Sequence, residues 1–464
     1  MSKQVILAAH FPGVNNTTVW SDPASGSQID FASFVHLAQT AERGKFDFFF
    51  LAEGLRLREQ RGKIHDLDVV GRPNTLVVLA ALAGVTTHLG LAGTLNATFN
   101  EPYELARQLA SLDHLCGGRA AWNVVTSSDA FTGANFRRGG YLDHADRYRR
   151  AEEFLRLART LWESWADGDV VANQSDGVFL ARADAGAFVH SGVQFQVEGR
   201  FTTPRSPQVH PVILQAGDSD AGREFAAASA DVVFSRHSTF EDGQAAYRDV
   251  KGRLARYGRR PEDLKILPGA TFVLGDTPGE AVERAHHIRR QQVSPQTAIL
   301  LLEQVWNRDL SGYDPDGPLP SVDPDVSGPS IIQGRASMFP DPLGTAARWR
   351  ALAEEKKLSI RDLIIEVTGR QSFIGTPEQV ASEINRFVQE DASDGFILVP
   401  HLTPSGLDEF VDRVVPLLQE RGVFRTEYTG ATLREHLGLG PARVWPTPAW
   451  ATQPEQPVAS GVTA

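Results

Sequence analysis

The sequence predicts an α/β protein built as a closed (β/α)8 barrel with insertions. Short apolar runs alternate with amphipathic segments over most of the 464 residues, the pattern of parallel strands joined by crossover helices. Eight runs have strand length, and most are continuously apolar, so both of their faces are expected to be buried. That number favours a ring over an open sheet. A barrel also absorbs a chain of this length when its loops are extended. Residues 1 to about 440 are therefore expected to form one barrel domain, with insertions at about 168–211 and 294–342 and a flexible tail over 441–464.

The strands are expected, in order, at Val5 to Ala9, Phe46 to Leu51, Leu89 to Gly93, Ala120 to Val125, Val212 to Gln215, Asp231 to Phe234, Ile266 to Leu274 and Gly395 to Val399. Helix starts lie between them. Thr75 follows Pro73-Asn74 and Glu101 precedes Pro102. Asp143, Ser219 to Gly222, Thr277-Pro278-Gly279-Glu280 and Thr376-Pro377-Glu378 also resemble caps or first turns. The alternation breaks twice. Residues from about Gly168 to Pro211 mix aromatics, glycines and turn residues without a clear helix, which suggests an extended or hairpin insertion. From about Ser294 to Pro342, the runs Tyr313-Asp314-Pro315-Asp316-Gly317-Pro318 and Val322-Asp323-Pro324-Asp325 are too rich in proline and glycine for regular structure. Such a loop reads equally as a lid or as a solvated decoration. The Pro-, Thr-, Ala- and Gln-rich stretch beyond Pro441 reads as disordered or draped on a partner.

Composition narrows the function. Lys plus Arg total 46 against 57 acidic residues, a net charge of −11, which argues against a general nucleic-acid surface. The single cysteine, Cys116, rules out an internal disulfide framework and a multi-cysteine zinc or iron–sulfur site, and fits a reducing, cytoplasmic compartment. The apolar run near the amino terminus is too short for a signal-peptide core and no run of about 18 apolar residues follows, so neither export nor a membrane span is expected. No dinucleotide fingerprint, P-loop or Gly-x-Ser-x-Gly elbow occurs, and the histidines show no metal-ligand spacing with carboxylates.

The candidate site lies at the expected carboxyl ends of the strands, where α/β proteins bind ligands. His144 and Tyr148, spaced i and i+4, share a helix face that continues through Ala151, Leu155, Ala158 and Trp162, an apolar stripe. Near a helix amino terminus the pair can donate to an anion or a heteroaromatic ring, although two satisfied helix-start groups would look the same. Ser219 follows a strand and opens a helix, which makes either a phosphate seat or an ordinary N-cap. Glu53, Thr94, Asn123 and Ser127 also stand at or just past strand ends. His10 closes the first strand and is a candidate proton donor or substrate contact, or else a hydrogen-bonded rim histidine.

Several long motifs, in order, resemble one family. Glu42 to Glu53, Gly117 to Ser127, Tyr141 to Phe154 and Pro204 through Gly217 are similar to the bacterial-luciferase-like flavin monooxygenases, in the nitrilotriacetate and dibenzothiophene-sulfone monooxygenase branch. Asp394 to Ile397, Phe410 to Gln419, Phe424 to Tyr428 and Leu433 to Leu439 extend the resemblance over most of residues 1 to about 440. It implies a TIM barrel with insertions, a homodimer or homotetramer. It implies reduced FMN supplied by a separate NAD(P)H-dependent flavin reductase, and a flavin peroxide that oxygenates a small organic substrate at the expense of O₂. Cleavage of a C–S or C–N bond would fit that chemistry. Carried over one position at a time, the flavin contacts fall on Glu53, Thr94, His144, Tyr148 and Ser219, with Asn123 and Ser127 bordering the ring. Glu53 departs from the family, which has aspartate there. The segment from Ser294 to Pro342 shows little resemblance to the sulfone enzymes, which makes it the expected seat of substrate choice. A deazaflavin-dependent oxidoreductase on the same barrel, a non-catalytic flavin-binding paralogue and a metal-dependent barrel hydrolase are the rival readings.

Overall fold

Eight parallel strands close on themselves in the computed structural model, which describes residues 2–15, 17–65, 72–126, 130–136, 144–217, 219–237, 239–333, 339–369 and 372–442. They are β1 (Ile6–Phe11), β2 (Phe48–Leu51), β3 (Gly90–Asn96), β4 (Ala120–Val125), β5 (Val212–Gln215), β6 (Val232–Ser235), β7 (Lys265–Leu274) and β8 (Gly395–Leu398). Each pairs with the next, and β8 returns to β1 with Ile6 opposite Gly395 and Ala9 opposite Leu398. All eight expected runs are strands of this ring. The far end of β7 carries a further parallel strand, Ser372–Gly375.

Strand periodicity sorts the side chains into two cores. Ile6, Ala8, Phe48, Phe50, Ala92, Ala121, Val212, Leu214, Val232, Leu267 and Ile397 fill the inside of the ring. Their alternates face the helices outside. At the amino-terminal end, Leu433, Leu437 and Leu439 complete the interior cluster and stopper the ring from below.

The expected helix starts hold where they are described. Asn74 caps α1 (Thr75–Ala83), Pro102 opens α2 (Pro102–Leu115), and α3 runs His144–Glu163. Ser219 caps α4 (Asp220–Ser229). Capping boxes of Thr277 with Glu280 and Thr376 with Gln379 open α5 (Pro278–Gln292) and, after the second insertion, the helix Pro377–Gln389. Asp143 lies outside the described residues. On α3 the stripe is buried as its spacing requires: Ala151 and Ala158 are fully buried, Leu155 and Trp162 nearly so.

The segment after α3 forms two antiparallel hairpins, Val170–Asn173 with Val178–Leu180 and Ala187–Ser191 with Gln196–Arg200. The second is tied to α3 by Glu153, a buried carboxylate that accepts from Gln194 N at 2.9 Å and Phe195 N at 2.8 Å. The segment after Ser294 corrects the expectation of irregular chain. It opens with α6 (Pro295–Trp306), because Ser294 caps Thr297 N and Pro295 stands at the first turn, where its missing N–H is no loss. With α7 (Pro342–Lys356) and α8 (Ile360–Val367) it builds a separate apolar cluster around Leu302, Trp306 and Ile360. Between α6 and α7 the described chain is irregular except for Ile332–Gln333, which pairs with Glu59–Gln60 after β2. Fully buried Glu303 locks that junction, accepting from Gln60 Nε2 at 2.6 Å and Leu310 N at 2.8 Å, with Arg61 Nη2 3.2 Å away. The expected tail lies outside the described residues from 443 onward.

Candidate active site at the carboxyl-terminal mouth

At the carboxyl-terminal end the interior layers of the ring give way to polar groups. Ile6 and Ala8 face inward, so His10 shares their face, and its half-buried ring stands 5.2 Å from that of Phe50. Phe50 in turn lies 5.7 Å from Phe234 of β6, so two aromatic rings form an apolar floor below the mouth. The same alternation puts Thr94 and Asn96 above Ala92 on β3, and Asn123 above Ala121 on β4.

Thr94 and Asn123 are register partners, and Asn123 Nδ2 donates to Thr94 Oγ1 at 2.9 Å. Asn123 is 2% exposed, and its Oδ1 has no hydrogen-bond partner among the described residues. A buried acceptor left open in this way marks a place for a ligand donor. Next to it, Glu53 Oε2 accepts from Asn96 N at 3.1 Å and from Asn96 Nδ2 at 3.0 Å. Burial outweighs those two donors and pushes the Glu53 carboxyl up to about 7. Asn96 is itself fixed, its Oδ1 accepting from Phe99 N at 2.7 Å.

Across the mouth, Tyr148 and Ser219 meet. Their hydroxyl oxygens are 3.4 Å apart, and the Tyr148 ring rests 6.1 Å from Phe225 of α4. Ser219 accepts from Gly222 N at 3.1 Å, which caps the helix. The turn beneath is closed by two glycines. A Cβ on Gly217 would stand 2.5 Å from Gln215 Nε2, and one on Gly222 3.1 Å from the Gly217 carbonyl. The remaining N–H groups of the first turn point away from α4, a ready anion seat. His144 opens α3, its side chain outside the described set, and Ser127 lies outside the described residues altogether.

The structure thus joins Thr94 to Asn123 and Tyr148 to Ser219, and sets Glu53 two residues of β3 away from the first pair. His10 stands apart over Phe50. Sequence reasoning missed Asn96, although it falls on the Ala92–Thr94 alternation, and missed the Phe50–Phe234 floor. It also missed Ser235, the last residue of β6, and His237 just past it, whose Oγ and Nε2 lie 3.0 Å apart. Among the described residues no group of His, Cys, Asp and Glu is placed to hold a metal ion, and no helix is long and apolar enough to cross a membrane.

Comparison with known proteins supplies the family. The family model described as luciferase-like monooxygenase matches residues 13–394. The chain belongs to the luciferase-like monooxygenase family. It is accordingly an enzyme, an oxidoreductase of the monooxygenase class. Nitrilotriacetate monooxygenase component A of Aminobacter aminovorans is 42% identical over 94% of this chain and 94% of its own length. Dibenzothiophene-sulfone monooxygenase of Rhodococcus erythropolis is 38% identical over 94% of this chain and 97% of its own. Among solved structures, DmoA from Hyphomicrobium sulfonivorans superposes with a TM-score of 0.79 at 30% identity, covering 94% of this chain and 92% of that one. The fold is therefore the luciferase-like TIM barrel.

Proposed function

We propose that the carboxyl-terminal mouth binds reduced FMN and that the enzyme uses it with O₂ to oxygenate a small organic substrate. The observation that carries this reading is the seat at α4. Ser219 caps the helix within reach of the Tyr148 hydroxyl, above a Gly217–Gly222 contact that leaves no room for a Cβ. A phosphate group fits there, between free helix N–H groups and two hydroxyls. The rest of the mouth suits a flat ring: Phe50 and Phe234 offer an apolar surface and Asn123 Oδ1 an open acceptor. In this assignment Glu53, Thr94, Asn123 and Ser127 border the ring, His144, Tyr148 and Ser219 hold the phosphate side, and His10 faces the substrate.

Bound reduced FMN supplies the electrons with which O₂ is divided between substrate and water. The chain's part is to orient, to exclude water and to hold protons. Glu53, poised near neutrality, presents a proton or takes one beside the ring. Thr94 fixes the amide of Asn123 so that its oxygen points to the ligand. His10 holds a proton donor at the substrate side. No motif calls for a resident flavin, so a separate NAD(P)H-dependent flavin reductase is the proposed supplier, and a cytoplasmic homodimer or homotetramer the proposed working form.

The relatives named above act, by their names, on nitrilotriacetate and on dibenzothiophene sulfone, molecules with carbon bonded to nitrogen or to sulfur. We place oxidation here at such a carbon, with C–N or C–S cleavage following. Choice among substrates falls to the segment from Ser294 to Pro342, which docks on the loop after β2 through Glu303 and Gln60. Anaerobic titration with FMNH₂ tests the reading: tight, saturable binding is expected, and no binding would overturn it. A substrate screen with FMN, NADH and a generic reductase, analysed for one added oxygen or a cleavage product, then names the substrate.

A further inference from the structure

The first hairpin after α3, Val170–Asn173 with Val178–Leu180, stands bare: every residue from Val170 to Ala181 is exposed. Five of them are large and apolar, namely Val170, Val171, Val178, Phe179 and Leu180, with Phe179 64% exposed. Val170 pairs with Leu180, so strand alternation sets Val170, Val178 and Leu180 on one side of the hairpin and Val171 and Phe179 on the other. Both sides are apolar, and the barrel it grows from could cover only one of them.

The shape of this arm is held at its two ends. At the tip, Asn173 Oδ1 accepts from Ser175 N at 3.1 Å and from Ser175 Oγ at 2.7 Å, and Asn173 Nδ2 donates to Asp176 Oδ2 at 2.7 Å. At the base, Ala181 N donates to Asp169 O at 2.9 Å, and Arg182 donates to Asp169 Oδ1 at 2.7 Å and to Ser164 O at 3.1 Å. Between the ends runs a two-stranded ladder, which is marginally stable in water by itself. The only charge from Val170 to Ala181 is Asp176, and the stretch has neither the lysines nor the prolines that keep a solvated strand edge from pairing.

Area and position name the occupant. The five apolar residues expose roughly 400 Å², and a standard interface takes about 800 Å² from each partner, somewhat over half of it apolar. The arm alone supplies most of that apolar share. α3 starts at the mouth and, 20 residues long, ends about 30 Å lower, so the hairpin tied to Ser164 leaves the barrel at its amino-terminal end. A reductase that passes flavin to the mouth gains nothing from a grip there. A partner that comes and goes would also leave the arm in water for most of its life, whereas a second copy of this chain covers it permanently.

We propose that the arm Val170–Leu180 docks on a second copy of this chain, which covers both of its sides. Under two-fold symmetry each copy gives one arm and receives one. This rests on the oligomeric form proposed above, and not on the flavin reading, and assigns that form its surface.

The test is sedimentation velocity of the full-length protein over a range of micromolar concentrations. Wild type should run as a dimer or larger. Val171→Asp and Phe179→Asp, each at an exposed position, should raise the dissociation constant at least roughly tenfold. Circular dichroism and FMNH₂ affinity should stay as in wild type. Amide exchange over residues 170–181 of wild type should be slow, where a hairpin left in water exchanges fast. A wild type that is monomeric throughout would overturn the proposal and the oligomeric form together. Unchanged association in both variants, or fast exchange over the arm, would overturn the arm's role alone. So would variants that keep their oligomer and lose flavin transfer from the reductase, which would make the arm the reductase's dock.

Discussion

The hydroxyls of Tyr148 and Ser219 lie 3.4 Å apart although 71 residues separate them in sequence. Each is placed by a different helix start, so the pair exists only when α3 and α4 are both docked on the ring. Flavin affinity is therefore sensitive to either side chain. Tyr148→Phe and Ser219→Ala should each weaken FMNH₂ binding by about 1 kcal/mol, roughly fivefold, in anaerobic titrations. Unchanged affinity in both would make them structural caps only.

Glu53 carries a pH signature. Its folded pKa, about 7, lies above the ordinary 4.5, so the folded state holds the proton more tightly than the unfolded one. Stability is then present in full at low pH and is lost as pH rises from about 4.5 to 7. Glu53→Gln removes the ionisation. Relative to wild type it should gain stability over that window, by up to about 3 kcal/mol, in denaturant melts run at pH 5 and pH 8. Parallel curves for the two proteins would contradict the perturbed carboxyl.

His10→Ala separates binding from chemistry. The ring packs on Phe50 and lies away from the α4 seat. Expected are near-normal FMNH₂ affinity and a large loss of oxygenated product per NADH consumed; lost flavin affinity instead would place His10 among the flavin contacts.

Glu303 fastens the second insertion. Glu303→Ala leaves Gln60 Nε2 only its bond to Leu300 O, strips the Leu310 N–H of its acceptor and removes the carboxylate facing Arg61, and should destabilise the protein by about 3 kcal/mol. Limited proteolysis should then cut within residues 307–333 faster than in wild type. A variant as resistant as wild type would show that the α6–α8 cluster holds the segment alone.

The ring was legible because its strands are buried on both faces, so each reads as an unbroken apolar run such as Phe48-Phe49-Phe50-Leu51. The stripe from Tyr148 to Trp162 was legible for the matching reason, a helical period on one buried face. α6 was not: Pro295 stands in a stretch full of breakers, and only the Ser294 cap before it and the apolar residues after it mark a helix start. The Asn123–Thr94 bond, between strands, and the Asn96–Glu53 bond, from β3 to the loop after β2, were hidden because no local pattern states the register that brings them together.

The stopper made by Leu433, Leu437 and Leu439 has a consequence for biosynthesis. These are among the last residues of the described chain to leave the ribosome, yet they dry the inside of a ring whose first strand starts at Ile6. The nascent barrel stays open to water at its base until this segment, which follows β8, has been made, and a chain cut short near 430 emerges with a wet, uncapped interior.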